Sequence, residues 1–252
     1  EYDGKLIHEQ GKGVDLLVTH NHNMWVLPLR NRHIGRTGME DFKFIEAQNL
    51  PRHVCFKRTA GWSGEERVWF ELPAVEYSKS YHGNRFHKMV SRVVPPRKIP
   101  MEAWLRVFGV WLAEGIGGLS SGAHICQKPG WKYDRIAQWT HACGFEYTRS
   151  RRGIIIHGGK QLSSYLKQFG KCDRKFIPAD IKQLSPRLLA CLYEGLMLGD
   201  GSKGQYYAST SRRLADDVQE ILLKMGYAAT IGEDRHTSGF QPKTVRPVKR
   251  QL

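Results

Sequence analysis

The fold of this chain is set by two apolar stretches, WLRVFGVWLAEGIGG at residues 104–118 and LLACLYEGLMLGDG at residues 188–201. When the first is laid on the second, four positions coincide: Gly109 with Gly195, Ala113 with Gly199, Glu114 with Asp200, and Gly115 with Gly201. Each stretch is long enough for a helix and ends in an acid followed by glycine. The match predicts two related helices and an internal duplication.

The small residues predict how these helices pack. Gly109 and Ala113 are four positions apart, as are Gly195 and Gly199, so each pair lies on one helical face and lets a second backbone approach closely. We expect the two faces to form the interface of a pseudo-twofold pair. The glycine after each acid predicts a helix end in the left-handed conformation.

The two acids then meet at one end of the pair. Glu114 and Asp200 would sit at helix C-termini, where the helix dipole is negative, and would repel each other without a cation. Two converging carboxylates beside a basic surface suit a divalent cation, and such a cation suits phosphodiester chemistry.

Both stretches resemble the LAGLIDADG motif of homing endonucleases. The matching parts are VFGVWLAEG at 107–115, which has Glu in place of the last Asp, and YEGLMLGDG at 193–201. The resemblance implies an α+β fold of two αββαββα-like halves, with paired central helices and two antiparallel saddle sheets over double-stranded DNA. It implies a functional monomer that hydrolyses both strands and leaves short 3′ overhangs. Glu114 and Asp200 would be its catalytic and metal-binding residues, holding two or more Mg²⁺ ions with the scissile phosphates.

Two lysines are candidates to stabilise charge at the same centre. The segment RKFIP at 174–178 resembles the intein block that precedes the second LAGLIDADG helix, which makes Lys175 the first candidate. Lys128, on the strand expected after the first helix, is the second. A surface lysine is more often simply solvated, and that alternative stays open for both.

Composition points to a polyanionic partner. The 252 residues carry a net charge of +15, which favours nucleic acid first and an anionic membrane surface second. No apolar run reaches the roughly 20 residues of a membrane span, and no signal peptide is visible. The five cysteines are odd in number and lack a CxxC pair, which fits a reducing, intracellular compartment.

A segment near the start resembles a different family. LVTHNHNMWV at 17–26 is similar to the TxxH block of intein splicing (Hint) domains, with Thr19 and His22 in the matching places. There the histidine polarises a peptide bond during acyl transfer. Such domains begin with Cys, Ser or Thr and end in His-Asn, whereas this sequence runs from Glu1 to Leu252. We expect an internal piece with a partial all-β splicing segment, whose missing fragments would be partners. A polar surface loop is the alternative.

Basic residues outside the helices are candidate DNA contacts. The segment from 78 to 100 contains no acid and has aromatic residues among its charges, which suggests a DNA-contacting arm or a solvated linker. Other basic residues fall at expected turns and strand edges, where they could meet phosphates or base edges. The full set is Lys79, Arg85, Lys88, Arg92, Arg149, Arg151, Arg152 and Lys203.

These observations divide the chain into five parts. They are a partial splicing-domain segment (1–76), a basic linker (77–100), a first LAGLIDADG half (101–184), a second half (185–234) and a basic tail leading towards the rest of the splicing domain (235–252). Two alternatives to an endonuclease remain. One is a DNA- or RNA-binding module that does not cleave, and the other is a protein-splicing element.

Overall fold

The computed structural model describes residues 2–11, 14–29, 41–57, 61–83, 86–119, 122–202, 206–233 and 243–248. It is a mixed α and β structure in which every strand pairing within the sheets is antiparallel. No helix within these ranges is long and apolar enough to cross a bilayer.

The N-terminal part is built of short strands. They are β1 (Leu6–Gly11), β2 (Val14–Thr19), β3 (Asn23–Pro28), β4 (Lys43–Glu46) and β5 (Val54–Phe56). β1 pairs with β2, and β3 lies between β4 and β5. Met24, Val26 and Ala47 form a small core of their own, because alternate residues of β3 point to the same face.

The segment predicted as a basic linker is instead a long hairpin. β7 (Val75–Gly83) pairs with β8 (Phe86–Val94), and this hairpin extends from a two-stranded ribbon of β6 (Trp69–Leu72) and β9 (Arg97–Pro100). The buried Gln161 side chain donates hydrogen bonds to the carbonyl oxygens of Pro73 (2.9 Å) and Pro95 (2.8 Å) at the hairpin base. The predicted boundary at residue 76 therefore cuts a strand.

Two helices form the centre of the molecule, α1 (Met101–Glu114) and α5 (Pro186–Asp200). They run side by side in the same direction. Arg106 of α1 pairs with Glu194 of α5 at 2.7 Å, while the two helix ends carry Glu114 and Asp200. Ser185 caps α5 by accepting a hydrogen bond from the Leu188 amide, and Pro186 follows it.

Glycines make the close approach of α1 and α5 possible. A Cβ on Gly109 would collide with the Leu192 carbonyl oxygen, and one on Gly195 with the Arg106 carbonyl oxygen. A Cβ on Gly199 would collide with the side chain of Ala113. Backbone thus packs against backbone along this seam.

The first half continues through one sheet and two helices. Its elements are β10 (Gly115–Leu119), β11 (Gly122–Ile125), α2 (Trp131–Ala142), β12 (Tyr147–Ser150), β13 (Gly153–Ile156) and α3 (Gly159–Lys167), with the sheet order β10-β11-β13-β12. Ile125 and Ile154 turn inward and join the main core, which also covers α1 and α5.

The second half has a sheet with the same strand order, although the short helix α4 precedes its central helix. Its elements are α4 (Ala179–Lys182), α5, β14 (Gly201–Ser202), β15 (Tyr206–Ser209), α6 (Arg212–Lys224), β16 (Ala228–Glu233) and β17 (Lys243–Val248), with the sheet order β14-β15-β17-β16. Part of the predicted tail is therefore a sheet strand, and the boundary at 234 falls too early. Two basic residues and Pro247 obscure this strand in the sequence, because proline is unfavourable inside a sheet.

The predicted left-handed helix ends are wrong. Gly115 and Gly201 have extended backbones, with φ of −84° and −76°, because each glycine begins a strand directly after its helix. Glycine is needed here for space. A Cβ at Gly115 would meet the Trp111 carbonyl oxygen and ring, and one at Gly201 would meet the Met197 carbonyl oxygen.

Candidate active site

The acid pair lies where α1 and α5 end. Glu114 and Asp200 are both half-buried. Burial raises the pKa of the Glu114 carboxyl, and the nearby Asp200 charge raises it further. Burial also raises the pKa of Asp200. Each carboxyl therefore ionises at a cost that a cation would relieve.

Lys175 supplies one positive charge beside the acids. Its side chain is 2% exposed, and its ammonium group donates hydrogen bonds to the carbonyl oxygens of Trp111 (2.7 Å) and Gly115 (2.6 Å). Burial lowers the pKa of Lys175 to about 8, although the Asp200 and Glu114 charges oppose that shift. The lysine thus bridges the end of α1 and faces both acids.

The second half holds this lysine in place through α6. Ser211, the N-cap of α6, donates its hydroxyl to the Lys175 carbonyl oxygen at 2.7 Å. The Ile177 amide donates to the Asp217 carboxylate at 2.8 Å. Because the backbone is tied to α6 at Lys175 and again at Ile177, the Lys175 side chain is directed inward against the end of α1.

Lys132 supplies a second positive charge, which the sequence reasoning missed. Its ammonium group lies 3.4 Å from the Gly199 carbonyl oxygen. Its charge offsets part of the rise that burial causes in the pKa values of both Glu114 and Asp200. The sequence contains one indication of this role. A lysine in the first turn of a helix is unfavourable beside the positive end of the helix dipole, so its presence there suggests a separate function. The candidate Lys128 is exposed in the loop before α2, and the described contacts do not join it to either acid.

A cleft of about 330 Å³ opens beside Asp200. Its polar lining comes from Asp200, Cys172, Ser209 and Thr210. It is large enough for several water molecules, so solvent can reach Asp200 from this side.

The predicted DNA-contacting residues are spread over two surfaces. Lys79 and Arg92 lie on the β7–β8 hairpin, as does Lys88. Arg151 and Arg152 are exposed at the β12–β13 turn. Arg149 pairs with Asp134 at 2.9 Å, and its guanidinium lies 5.4 Å from the Tyr133 ring centre. Arg85 and Lys203 lie outside the described residues.

The candidate splicing residues occupy the turn between β2 and β3. The His22 amide donates to the Thr19 carbonyl oxygen at 3.1 Å, and the His22 side chain is exposed. These residues belong to the N-terminal strands, separate from the acid pair.

Comparisons with known proteins give partial matches. No protein-family model matches the chain. It is 29% identical over 251 residues to a Chlamydomonas moewusii protein named ATP-dependent Clp protease proteolytic subunit, covering 92% of this chain and 24% of that protein. It is 36% identical over 116 residues to the DNA-directed RNA polymerase subunit beta C-terminal section of Stigeoclonium helveticum, covering 46% of this chain and 9% of that protein. The chain thus spans about a quarter of the first relative and under a tenth of the second.

Solved structures also resemble the chain, among them one of an endonuclease. It is the crystal structure of I-DmoI in complex with DNA and Ca. The similarity covers 59% of this chain and 83% of that chain, with 15% sequence identity and a TM-score of 0.44.

The depressed pKa of Lys175 predicts a pH-dependent stability. In the unfolded chain this amine titrates near 10.5, and in the folded protein near 8. The folded state therefore binds fewer protons between these values, and stability rises with pH across that window. We expect the unfolding midpoint of wild type to rise relative to that of Lys175→Met as the pH increases from 8 to 10.5. A difference that stays constant in thermal unfolding across this range would contradict the buried, charge-shifted amine.

Proposed function

We propose that this chain is a site-specific homing endonuclease of the LAGLIDADG class, which hydrolyses both strands of a long duplex DNA target. The observation that carries the proposal is the acid pair, with Glu114 and Asp200 ending two parallel, closely packed helices. The positive charges of Lys175 and Lys132 favour the ionised form of both acids. Paired acids with flanking cations are suited to holding a divalent ion and a phosphodiester together.

The donor set fits Mg²⁺. Mg²⁺ prefers oxygen ligands and is held in proteins by one or two carboxylates together with water and substrate phosphates. Glu114 and Asp200 are the two carboxylates, and the described residues contain no group of three or more His, Cys, Asp or Glu side chains able to form a complete metal cage. A bound Mg²⁺ would stabilise the charge on the phosphate and lower the pKa of an attacking water.

The protein groups have distinct roles in this proposal. The carboxylates of Glu114 and Asp200 hold the ion and orient water. The ammonium groups of Lys175 and Lys132 lie within electrostatic reach of both acids and would stabilise negative charge that develops on the phosphate oxygens. Cleavage of opposite strands would leave short 3′ overhangs, with each helix end serving one strand.

Binding would use the basic surfaces of the protein. The net charge of +15 supplies long-range attraction to a duplex. Two basic elements would contact the phosphate backbone of the DNA. They are the β7–β8 hairpin, with Lys79 and Arg92, and the β12–β13 turn, with Arg151 and Arg152. Each sheet could lay side chains into the major groove, which admits a β-ribbon.

A second candidate function is protein splicing, and the two curated relatives favour it. Their names denote unrelated proteins, a protease subunit and a polymerase subunit, yet the same chain matches a minor part of each. A segment inserted in frame into different host proteins would give this pattern, as inteins do. The N-terminal strands with Thr19 and His22 would then belong to a splicing domain. Expression of the full host reading frame, followed by a search for ligated flanking segments, tests this role.

A cleavage selection over randomised duplexes with Mg²⁺ tests the nuclease function. We expect wild type to enrich one long target, cut on both strands, and to cut the uninterrupted form of its host gene at the insertion point. Replacement of Mg²⁺ by EDTA should abolish cutting. Retention of a specific duplex without strand cleavage would instead identify a DNA-binding module.

A further inference from the structure

One buried hydroxyl group is unexplained by the packing of the core. Tyr207 is fully buried, and its hydroxyl has no hydrogen-bond partner among the residues that the structure describes. The nearby Ser209 is close enough to lower the pKa of Tyr207 but does not complete a hydrogen bond of good geometry. Unpaired buried polar groups destabilise a protein, so they are rare and commonly mark an ordered water or a functional role.

The position of Tyr207 relates it to the acid pair. On β15, Tyr207 is the cross-strand partner of Gly201, the residue that follows Asp200. The charges of Asp200 and Glu114 both raise the pKa of the Tyr207 phenol, which places both carboxylates within electrostatic reach. Ser209, two residues along the same strand face, lines the cleft together with Asp200.

Two other buried donors lack partners among the described residues, and their surroundings differ. The Trp104 indole packs against Phe70 and Phe108, away from the acids. The ring of Trp111 lies 4.6 Å from the Lys175 ammonium, so its neighbour is a cation that cannot accept a hydrogen bond. Tyr207 alone among these three combines an unpaired donor with carboxylate neighbours, and Ser209 on the same strand face lines the solvent-accessible cleft.

We propose that Tyr207 is a positioning residue whose hydroxyl donates a hydrogen bond, through one ordered water molecule, to the carboxylate of Asp200. A hydrogen bond to an ionised acceptor is stronger than one between neutral groups, and it would fix the rotamer of Asp200 at the helix end. Only the consequence for cleavage rests on the proposed nuclease function.

A double-mutant cycle in thermal unfolding tests the hydrogen bond without DNA. We expect Tyr207→Phe to lower the unfolding midpoint at pH 7.5 by roughly 2–4 °C when Asp200 is present. In the background of Asp200→Ala the same substitution should leave the midpoint unchanged or raise it. Tyr165→Phe is the matched control, because this half-buried tyrosine packs on Phe70 and Trp104, remote from the acids. Its effect should be equal in both backgrounds.

Additive shifts for Tyr207→Phe and Asp200→Ala would overturn the proposal, as would a higher midpoint for Tyr207→Phe in both backgrounds. The second result is what an unpaired hydroxyl with no acceptor would give.

Cleavage kinetics supply the second measurement. We expect Tyr207→Phe to lower kcat by about tenfold, on the scale of other residues that orient metal ligands, with an unchanged Kd for the target duplex. An unchanged kcat would overturn the positioning role. If the cycle shows coupling but wild type cuts no duplex, the nuclease proposal fails and the hydrogen bond stands. If wild type cuts a duplex but the cycle shows no coupling, the nuclease proposal stands and the hydrogen bond is ruled out.

Discussion

Glu114→Gln and Asp200→Asn should each abolish double-strand cleavage while leaving the protein folded. Each substitution keeps the size of the side chain and removes the negative charge that a divalent ion and an attacking water require. Loss of a single preorganised charge-stabilising group costs about 10²–10³ in kcat, and we expect at least this much in a plasmid cleavage assay. Because each helix end would serve one strand, single variants that retain activity should nick rather than linearise.

The folded state of these variants should be as stable as wild type or more so at pH 7. Burial raises the pKa values of both carboxyls above their ordinary values of 4.5 and 3.8. As pH rises, the unfolded chain therefore releases these protons at a lower pH than the folded protein does. Above the raised pKa values, the free energy of unfolding is smaller by the cost of ionising the buried carboxyls. Neutral amides escape that penalty, so their advantage in unfolding midpoint should be present at pH 7 and absent below pH 3.8.

Glu102→Gln is a suitable control for both measurements, because Glu102 lies at the other end of α1, beside Arg187. Cleavage by Glu114→Gln at the wild-type rate, with a raised unfolding midpoint, would show that the acid pair is not the catalytic centre.

The sequence predicts the central helices because their pattern is local. Small residues four apart, an acid and a glycine can be recognised within one stretch, and α1 begins at Met101, the first residue of the predicted first half. The cap of α5 by Ser185 is local in the same way. Lys175 could be named only because the segment around it resembles a known block, since neither its burial nor its two carbonyl partners can be read from spacing.

The features that sequence reasoning missed depend on contacts distant in the chain. Lys132 reaches Gly199 only after α2 has packed beside α1. β17 is specified by pairing with β15 and β16, because Lys243, Arg246 and Pro247 interrupt its β-branched residues in the sequence. The extended backbone at Gly115 follows from the strand that begins there, which overrides the usual preference for a left-handed helix end.

Gly195→Ala should destabilise the protein, although alanine normally stabilises a helix relative to glycine by about 1 kcal/mol. At this position the added methyl group would meet the Arg106 carbonyl oxygen and lie 3.0 Å from the Val110 amide nitrogen. Both are backbone atoms of α1 and cannot rotate away, so the helices must separate. Overpacking of this kind costs about 1–3 kcal/mol, which corresponds to a fall in unfolding midpoint of roughly 5 °C. Cleavage should also fall, because separation of α1 from α5 moves the two acids apart.

The matched control is Gly61→Ala, since no atom lies within 4 Å of a Cβ at Gly61. We expect its unfolding midpoint to stay level or rise, because alanine restricts the unfolded chain more than glycine does. Gly109→Ala should repeat the effect of Gly195→Ala from the opposite helix, against the Leu192 carbonyl oxygen. The sign of the change is decisive. An increase in the midpoint of Gly195→Ala would mean that this glycine faces open space, and then neither the close packing of α1 on α5 nor the convergence of Glu114 and Asp200 that depends on it could hold.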